Sequence, residues 1–219
     1  YYVNYKSRFN YRSLIAGENW PSPVTAGTIY HFEYGDALFV VLNSMAQNND
    51  LRAQWNTIKK LSDESTKKWK IVVVHFPPYS PGKYYSVDNV HGEMLSRANI
   101  DLVLSGHEHS YFRTSLDTTG SEADTLGYVR KVSPESGEGT TYVIGGSANG
   151  NYRGYISENR DTSFNTQFYR PVETGKIQRG IYAKISVSSD EIHYRAYQID
   201  KVVDEFTIKK SRSEYRGGM

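Results

Sequence analysis

The sequence predicts an α/β fold on a mixed sheet, combining a βαβ unit with antiparallel hairpins. Three observations predict it. Ala37-Leu38-Phe39-Val40-Val41-Leu42 and Ile71-Val72-Val73-Val74 are near-continuous apolar runs, the pattern of strands buried on both faces. A crossover long enough for parallel pairing separates the second run from another, Leu102-Val103-Leu104. Toward the C-terminus, residues 181–187 and 191–198 flank Ser188-Ser189-Asp190 as the arms of a hairpin would.

Taken in order, residues 1–24 are polar and aromatic, with Arg8, Asn10, Arg12 and Pro21-Ser22-Pro23, and read as loop or extended chain. Residues 28–34 form a strand, Gly35-Asp36 a tight hairpin turn, and residues 37–43 a central return strand. Asn48-Asn49-Asp50 offers a helix cap, after which Leu51, Trp55, Ile58 and Leu61 recur at helical spacing. A strand over 70–74 follows. Phe76-Pro77-Pro78-Tyr79-Ser80-Pro81-Gly82 must be loop, since proline lacks the donor and the freedom that regular structure needs. A short helix over 89–98 and a strand over 101–104 complete the βαβ unit. After Arg113 the chain is polar and Gly-rich through Gly139. A strand over 141–144 ends in Gly145-Gly146, residues 148–177 read as loop, and residues 206–209 form a terminal strand.

Composition narrows the function. The 219 residues are 38% hydrophobic and include 19 Tyr, so amphipathic rings carry much of the apolar area. A net charge of +2 gives no ground for a nucleic acid or an anionic membrane as partner. Lys67-Lys68-Trp69-Lys70 and Lys209-Lys210-Ser211-Arg212 are short and read as solvated surface. Having no cysteine, the chain has no disulfide, Cys-zinc site or catalytic thiol. No apolar run reaches the ~20 residues that span a bilayer. The chain opens at Tyr1 rather than Met, so we expect its natural start to lie upstream.

His75 follows the apolar strand 70–74, while His107 and His109 follow the strand 101–104 in Ser105-Gly106-His107-Glu108-His109. The carboxyl ends of parallel strands are where open α/β sheets place ligand chemistry. Neighbouring strands lie about 4.8 Å apart, so imidazoles at their ends can reach one ion. A lone His at a strand end is usually a hydrogen-bonded structural residue; the adjacent Gly-His-x-His pattern favours ligation here. His31 and His193 fall inside strands as ordinary sheet residues, and His91 lies in the crossover as a cap or surface residue. Glu108 reads as solvent-facing or as support for a ligand. Tyr111 and Arg113 read as packing that braces the loop.

Val72-Val73-Val74-His75-Phe76-Pro77-Pro78-Tyr79, followed by Val103-Leu104-Ser105-Gly106-His107-Glu108-His109-Ser110-Tyr111-Phe112-Arg113-Thr114, resembles the last two motifs of the calcineurin-like metallophosphoesterases, in their purple acid phosphatase-like branch. Residues 34–42 are similar to the strand that precedes those motifs. Residues 141–148 and 181–209 are similar to its closing strands, and Gly145-Gly146 to a turn of close backbone approach near the site. The resemblance implies the C-terminal half of a four-layer α/β/β/α sandwich, with residues 1–219 a single truncated domain. It implies a phosphate-ester substrate and two transition-metal ions (Fe, Zn or Mn), with His75 and His107 on one ion and His109 on the other. A water activated between the ions would attack phosphorus in line. Some purple acid phosphatases carry a His pair in the loop after the His75-type ligand. Tyr84 and Tyr85 stand near that place and are the candidate substrate contacts.

The family's Asp-x-His, Gly-Asp-x-x-Asp/Tyr and Gly-Asn-His-Asp/Glu motifs do not occur in these residues, and Gly35-Asp36 is a hairpin turn rather than a replacement. No carboxylate is then left to bridge two cations. The chain alone is expected to hold one ion weakly or none, and to be catalytically incomplete. Truncation should also bare an inner sheet face and drive self-association. The alternative function is a non-catalytic glycan- or protein-binding module on the same scaffold, using its Tyr-rich surface.

Overall fold

A computed structural model describes residues 28–45, 49–79, 94–95, 97–107, 111–117, 130–146, 168–170 and 180–210. Tyr30–Tyr34 (β1) folds back on Ala37–Val41 (β2) through Gly35-Asp36, pairing Tyr34 with Ala37. Gly35 has φ +55°, the left-handed value that such a short hairpin demands. The helix Asn49–Glu64 (α1) then crosses over to Trp69–Val74 (β3), which lies parallel to β2. Leu102–Ser105 (β4) runs parallel to β3 with Val72 opposite Val103, as the βαβ pattern predicts.

The main sheet continues in a way the sequence did not announce. Tyr111–Asp117 (β5) and Thr140–Gly145 (β7) enter out of order, and β7 is the strand parallel to β4. Strand β5 lies antiparallel beyond β7, and Arg130–Lys131 (β6) and Phe168–Arg170 (β8) pair with opposite ends of β5. The order is β1-β2-β3-β4-β7-β5-β6, with β8 also on β5. The polar, Gly-rich stretch after Arg113 gave no sign of β5 because Thr114, Ser115 and Asp117 are polar yet buried. The Ser115 and Thr141 hydroxyls bond each other at 2.8 Å across the β5–β7 pair, so the ladder satisfies groups that would otherwise favour water.

Ile181–Val187 (β9), Glu191–Gln198 (β10) and Lys201–Lys209 (β11) form a separate antiparallel meander with β10 in the middle. Strand β11 starts earlier than predicted because Lys201 and Glu205 lie exposed on a half-solvated strand. Alternation along the main strands sends Ala37, Trp69, Ile71, Leu102, Tyr111 and Val143 to one face, against Ile192, Tyr194, Phe206 and Ile208 of the meander. The other face sends Leu38, Val40, Val72, Val103, Phe112 and Ile144 against Ile58 of α1 and Leu95 and Ala98. The described residues therefore build three layers: helix, mixed sheet and meander. The expected bare inner face is corrected, because β10 and β11 cover it with their own inward row. Among the described residues, no helix is long and apolar enough to cross a membrane.

Polar contacts fasten the two sheets. Tyr111 Oη donates to Asp204 Oδ2 at 2.8 Å, and Arg113 Nε and Nη2 donate to the same carboxylate at 2.7 and 3.1 Å. The Arg113 guanidinium also lies over the Phe206 ring at 4.6 Å. Trp69 Nε1 donates to the Ser188 carbonyl at 2.6 Å. At the amino ends of β3 and β4, Asp101 accepts from the Lys70 N–H at 2.7 Å and pairs with Lys210 at 3.0 Å. Burial pushes the Asp101 carboxyl up to about 6, against the pull of Lys210 and the Lys70 N–H.

Candidate metal centre

Strands β2, β3, β4 and β7 are mutually parallel, so their carboxyl ends share one edge. Residues 42–45, His75-Phe76, Gly106-His107 and Gly145-Gly146 leave from it. The ladder runs slightly past the strands: Leu42 N–H donates to Val73 O at 2.9 Å, and Gly106 N–H to His75 O at 3.0 Å. The second bond ties the backbone of His75 to the residue before His107.

His107 has φ +65°, a left-handed conformation that non-glycine residues adopt at a cost and that concentrates at functional turns. His107 Nδ1 lies 3.2 Å from His75 Nε2, with the ring centroids 5.1 Å apart and the planes at 86°. Nitrogens each about 2.0–2.1 Å from one ion, at angles near 90–110°, stand about 2.9–3.4 Å apart. The observed separation therefore fits two ligands of a single transition-metal ion. In the absence of an ion, the same contact is a hydrogen bond in which one ring donates. His75 is exposed and His107 half-buried, so the pair is open to solvent.

One further side chain, Phe76, packs on the pair, and Ser44 and Gln54 hold the backbone behind it. The Phe76 ring lies 4.3 Å from that of His107 at 64° and 5.2 Å from that of His75 at 57°. The Phe76 N–H donates to Ser44 Oγ at 3.2 Å. Ser44 sits on a segment pinned by α1, where Gln54 accepts from Asn43 N–H at 2.9 Å and donates to Asn43 O at 3.1 Å. Gln54 was hidden by its polarity, and the signal for Phe76 was its adjacency to His75.

Of the other predicted site residues, His109, Tyr84 and Tyr85 lie outside the described residues, as do Glu108 and His91. Among the described residues, no three His, Cys, Asp or Glu side chains gather as a metal-holding group. Of the three predicted ligands, the described residues bring His75 and His107 together. His31 lies in β1 with Nδ1 buried and without a hydrogen-bond partner, and burial lowers its pKa. His193 lies in β10 and meets Glu205 at 2.8 Å. Tyr111 and Arg113 do brace, through Asp204 across the sheet seam. Gly146 takes φ +74°, and a Cβ there would meet Ile181 at 3.6 Å and the Tyr111 nitrogen at 3.7 Å, so its conformation rather than crowding requires glycine.

A family model described as calcineurin-like phosphoesterase matches residues 1–111. A protein described as probable purple acid phosphatase 20 of Arabidopsis thaliana is 37% identical over 71 residues, which cover 28% of this chain and 16% of that protein. Among solved structures, the purple acid phosphatase PPD1 from yellow lupin (Lupinus luteus) seeds superposes with a TM-score of 0.58 at 16% identity, covering 84% of this chain and 33% of that one. A PhoD structure superposes with a TM-score of 0.50 at 15% identity, covering 94% of this chain and 49% of that one. The chain thus spans no more than about half the length of any of these relatives.

Proposed function

The chain belongs to the calcineurin-like phosphoesterase family, and from that membership we propose that it is the C-terminal part of a dinuclear metal-dependent phosphoesterase domain acting on phosphate esters. The observation that carries this reading is the 3.2 Å approach of two imidazole nitrogens at the carboxyl edge of parallel strands. His75 and His107, as neutral imidazoles, would hold one ion of the Fe, Zn or Mn class, and His109 would belong to the second. When bound, the ions acidify a water and polarise a phosphoryl oxygen. The protein's part is to aim nitrogen lone pairs from a rigid sheet edge, leaving the solvent side open to substrate. Tyr84 and Tyr85, in the loop after His75, are the proposed contacts to the ester.

Among the described residues, the ligands are too few for turnover. Two imidazoles are fewer than the roughly three protein ligands usual for a catalytic zinc, and no described carboxylate joins them. The chain alone should bind a single Co²⁺, used as a spectroscopic probe, and His75→Ala or His107→Ala should each weaken that binding at least ~10-fold. An aryl phosphate with added Mn²⁺ or Zn²⁺ should show negligible turnover, while a protein extended upstream through the family's acidic motifs should show it. Co²⁺ binding indifferent to both His substitutions would overturn the ligand assignment. Enzyme-like turnover by the chain alone would overturn its incompleteness.

A second reading, a non-catalytic glycan- or protein-binding module, draws on Tyr182. It is 54% exposed and stacks on Tyr197 at 5.2 Å and 12°, an aromatic platform of the kind that faces sugars. Binding to an immobilised glycan panel that is abolished by Tyr182→Ala would favour it.

A further inference from the structure

We propose that Phe76, anchored by Ser44, is a positioning residue that sets the His75–His107 pair at ligand spacing before any ion arrives; this rests on the metal reading above. Imidazoles on separate strands would each sample several rotamers, and chelation would have to freeze them. Here the His75 and Phe76 rings each meet His107 edge-on, at 86° and 64°, and Phe76 lies tilted at 57° to His75. Neither imidazole can change rotamer without losing its packing on Phe76. His107 sits in a left-handed turn, and its ring lies 5.1 Å from that of His75 and 4.3 Å from that of Phe76.

Phe76 has no ligating atom, so it can act only through its neighbours. Its own position is set by a relay that begins in the helix. Gln54 of α1 clamps both backbone groups of Asn43. The adjoining Ser44 presents Oγ to the Phe76 N–H at 3.2 Å, and this amide is the peptide group that follows His75. The relay thus fixes the backbone on the carboxyl side of His75, while the Gly106 N–H holds the His75 carbonyl at 3.0 Å. Support around metal ligands is commonly worth about 10–100-fold in affinity.

The test uses the 219-residue chain with Phe76→Leu, Phe76→Tyr, Ser44→Ala and His75→Ala. Two readouts are taken: Co²⁺ affinity by titration, and the contact between the two imidazoles in metal-free protein by NMR. Phe76→Leu should weaken Co²⁺ binding about 10-fold and erase the metal-free ring contact. Phe76→Tyr, which keeps the ring, should restore both, and Ser44→Ala should weaken binding about 3-fold. If Phe76→Leu fails to fold, Ser44→Ala, which leaves every ring in place, decides the matter. Wild-type affinity and ring contact in Phe76→Leu and Ser44→Ala, with binding lost in His75→Ala, would overturn the positioning role and leave the metal reading standing. If the parent chain takes up no Co²⁺, the metal reading falls, and loss or retention of the metal-free contact still supports or overturns the role of Phe76.

Discussion

The carboxyl edge of the main sheet and the seam between the two sheets treat polar groups in opposite ways. At the seam, Asp204 is 4% exposed and takes hydrogen bonds from Tyr111 and from both arms of Arg113. At the edge, His75 is solvent-exposed and meets a His107 held at φ +65°. The seam uses its hydrogen-bonding capacity to fasten one sheet to the other; at the edge the two imidazoles meet each other at 3.2 Å on the solvent side. Buried polar groups paired between the sheets fix the fold, whereas a strained, solvent-facing turn is the kind of place where function concentrates.

The largest effect that would break this contrast is expected at the seam. Asp204→Ala removes an acceptor shared by the buried Tyr111 hydroxyl and the Arg113 guanidinium. It should cost roughly 3–5 kcal/mol of unfolding free energy, measured by urea titration. A cost below about 1 kcal/mol would show that the seam is held by apolar packing alone.

Asp101 gives a pH signature at the opposite end of the same strands. Its folded pKa of about 6 lies above the ordinary 3.8. Between those values the folded chain keeps a proton that the unfolded chain releases. This contribution to stability is therefore complete below about pH 4 and is lost as pH rises through about 6. Lys210 and Lys70 are the charges facing the group. In Asp101→Asn the fall in urea midpoint between pH 4 and 6 should be smaller than in the parent; an unchanged slope would assign that fall to other groups.

The smallest effect is expected at the edge. His107→Gly relieves a left-handed non-glycine residue, so stability should hold or rise by about 0.5–1 kcal/mol even as Co²⁺ binding is lost. A variant destabilised by more than about 1 kcal/mol would place His107 among the structural residues and remove the contrast.

Much of the fold and of the candidate site could be read locally. The apolar runs ending before Asn43 and His75 are strands, because a run buried on both faces needs no partner-specific information to be apolar. Gly35-Asp36 is a hairpin because its backbone must take positive φ. Strand β5 was largely illegible, since Thr114, Ser115 and Asp117 look like loop until Thr141 is placed beside them. Phe76 looked like part of a Pro-rich loop, and nothing nearby in sequence announces that its ring meets His107.

Hydrophobic period and the Gly-His-x-His spacing alone determined the βαβ frame and the sheet edge at which His75 and His107 stand, while the chemistry expected there follows from the family resemblance. Both are local patterns that survive without knowledge of what packs against them. Tertiary structure alone decided that β7 and β5 extend the sheet out of order and that the meander covers its inner face. It also brought Asp204 to Arg113 across 91 residues, and Ser44 to Phe76 across 32. Such pairings arise when distant segments compete to bury apolar faces and satisfy polar atoms at once, and no short window of sequence contains both competitors.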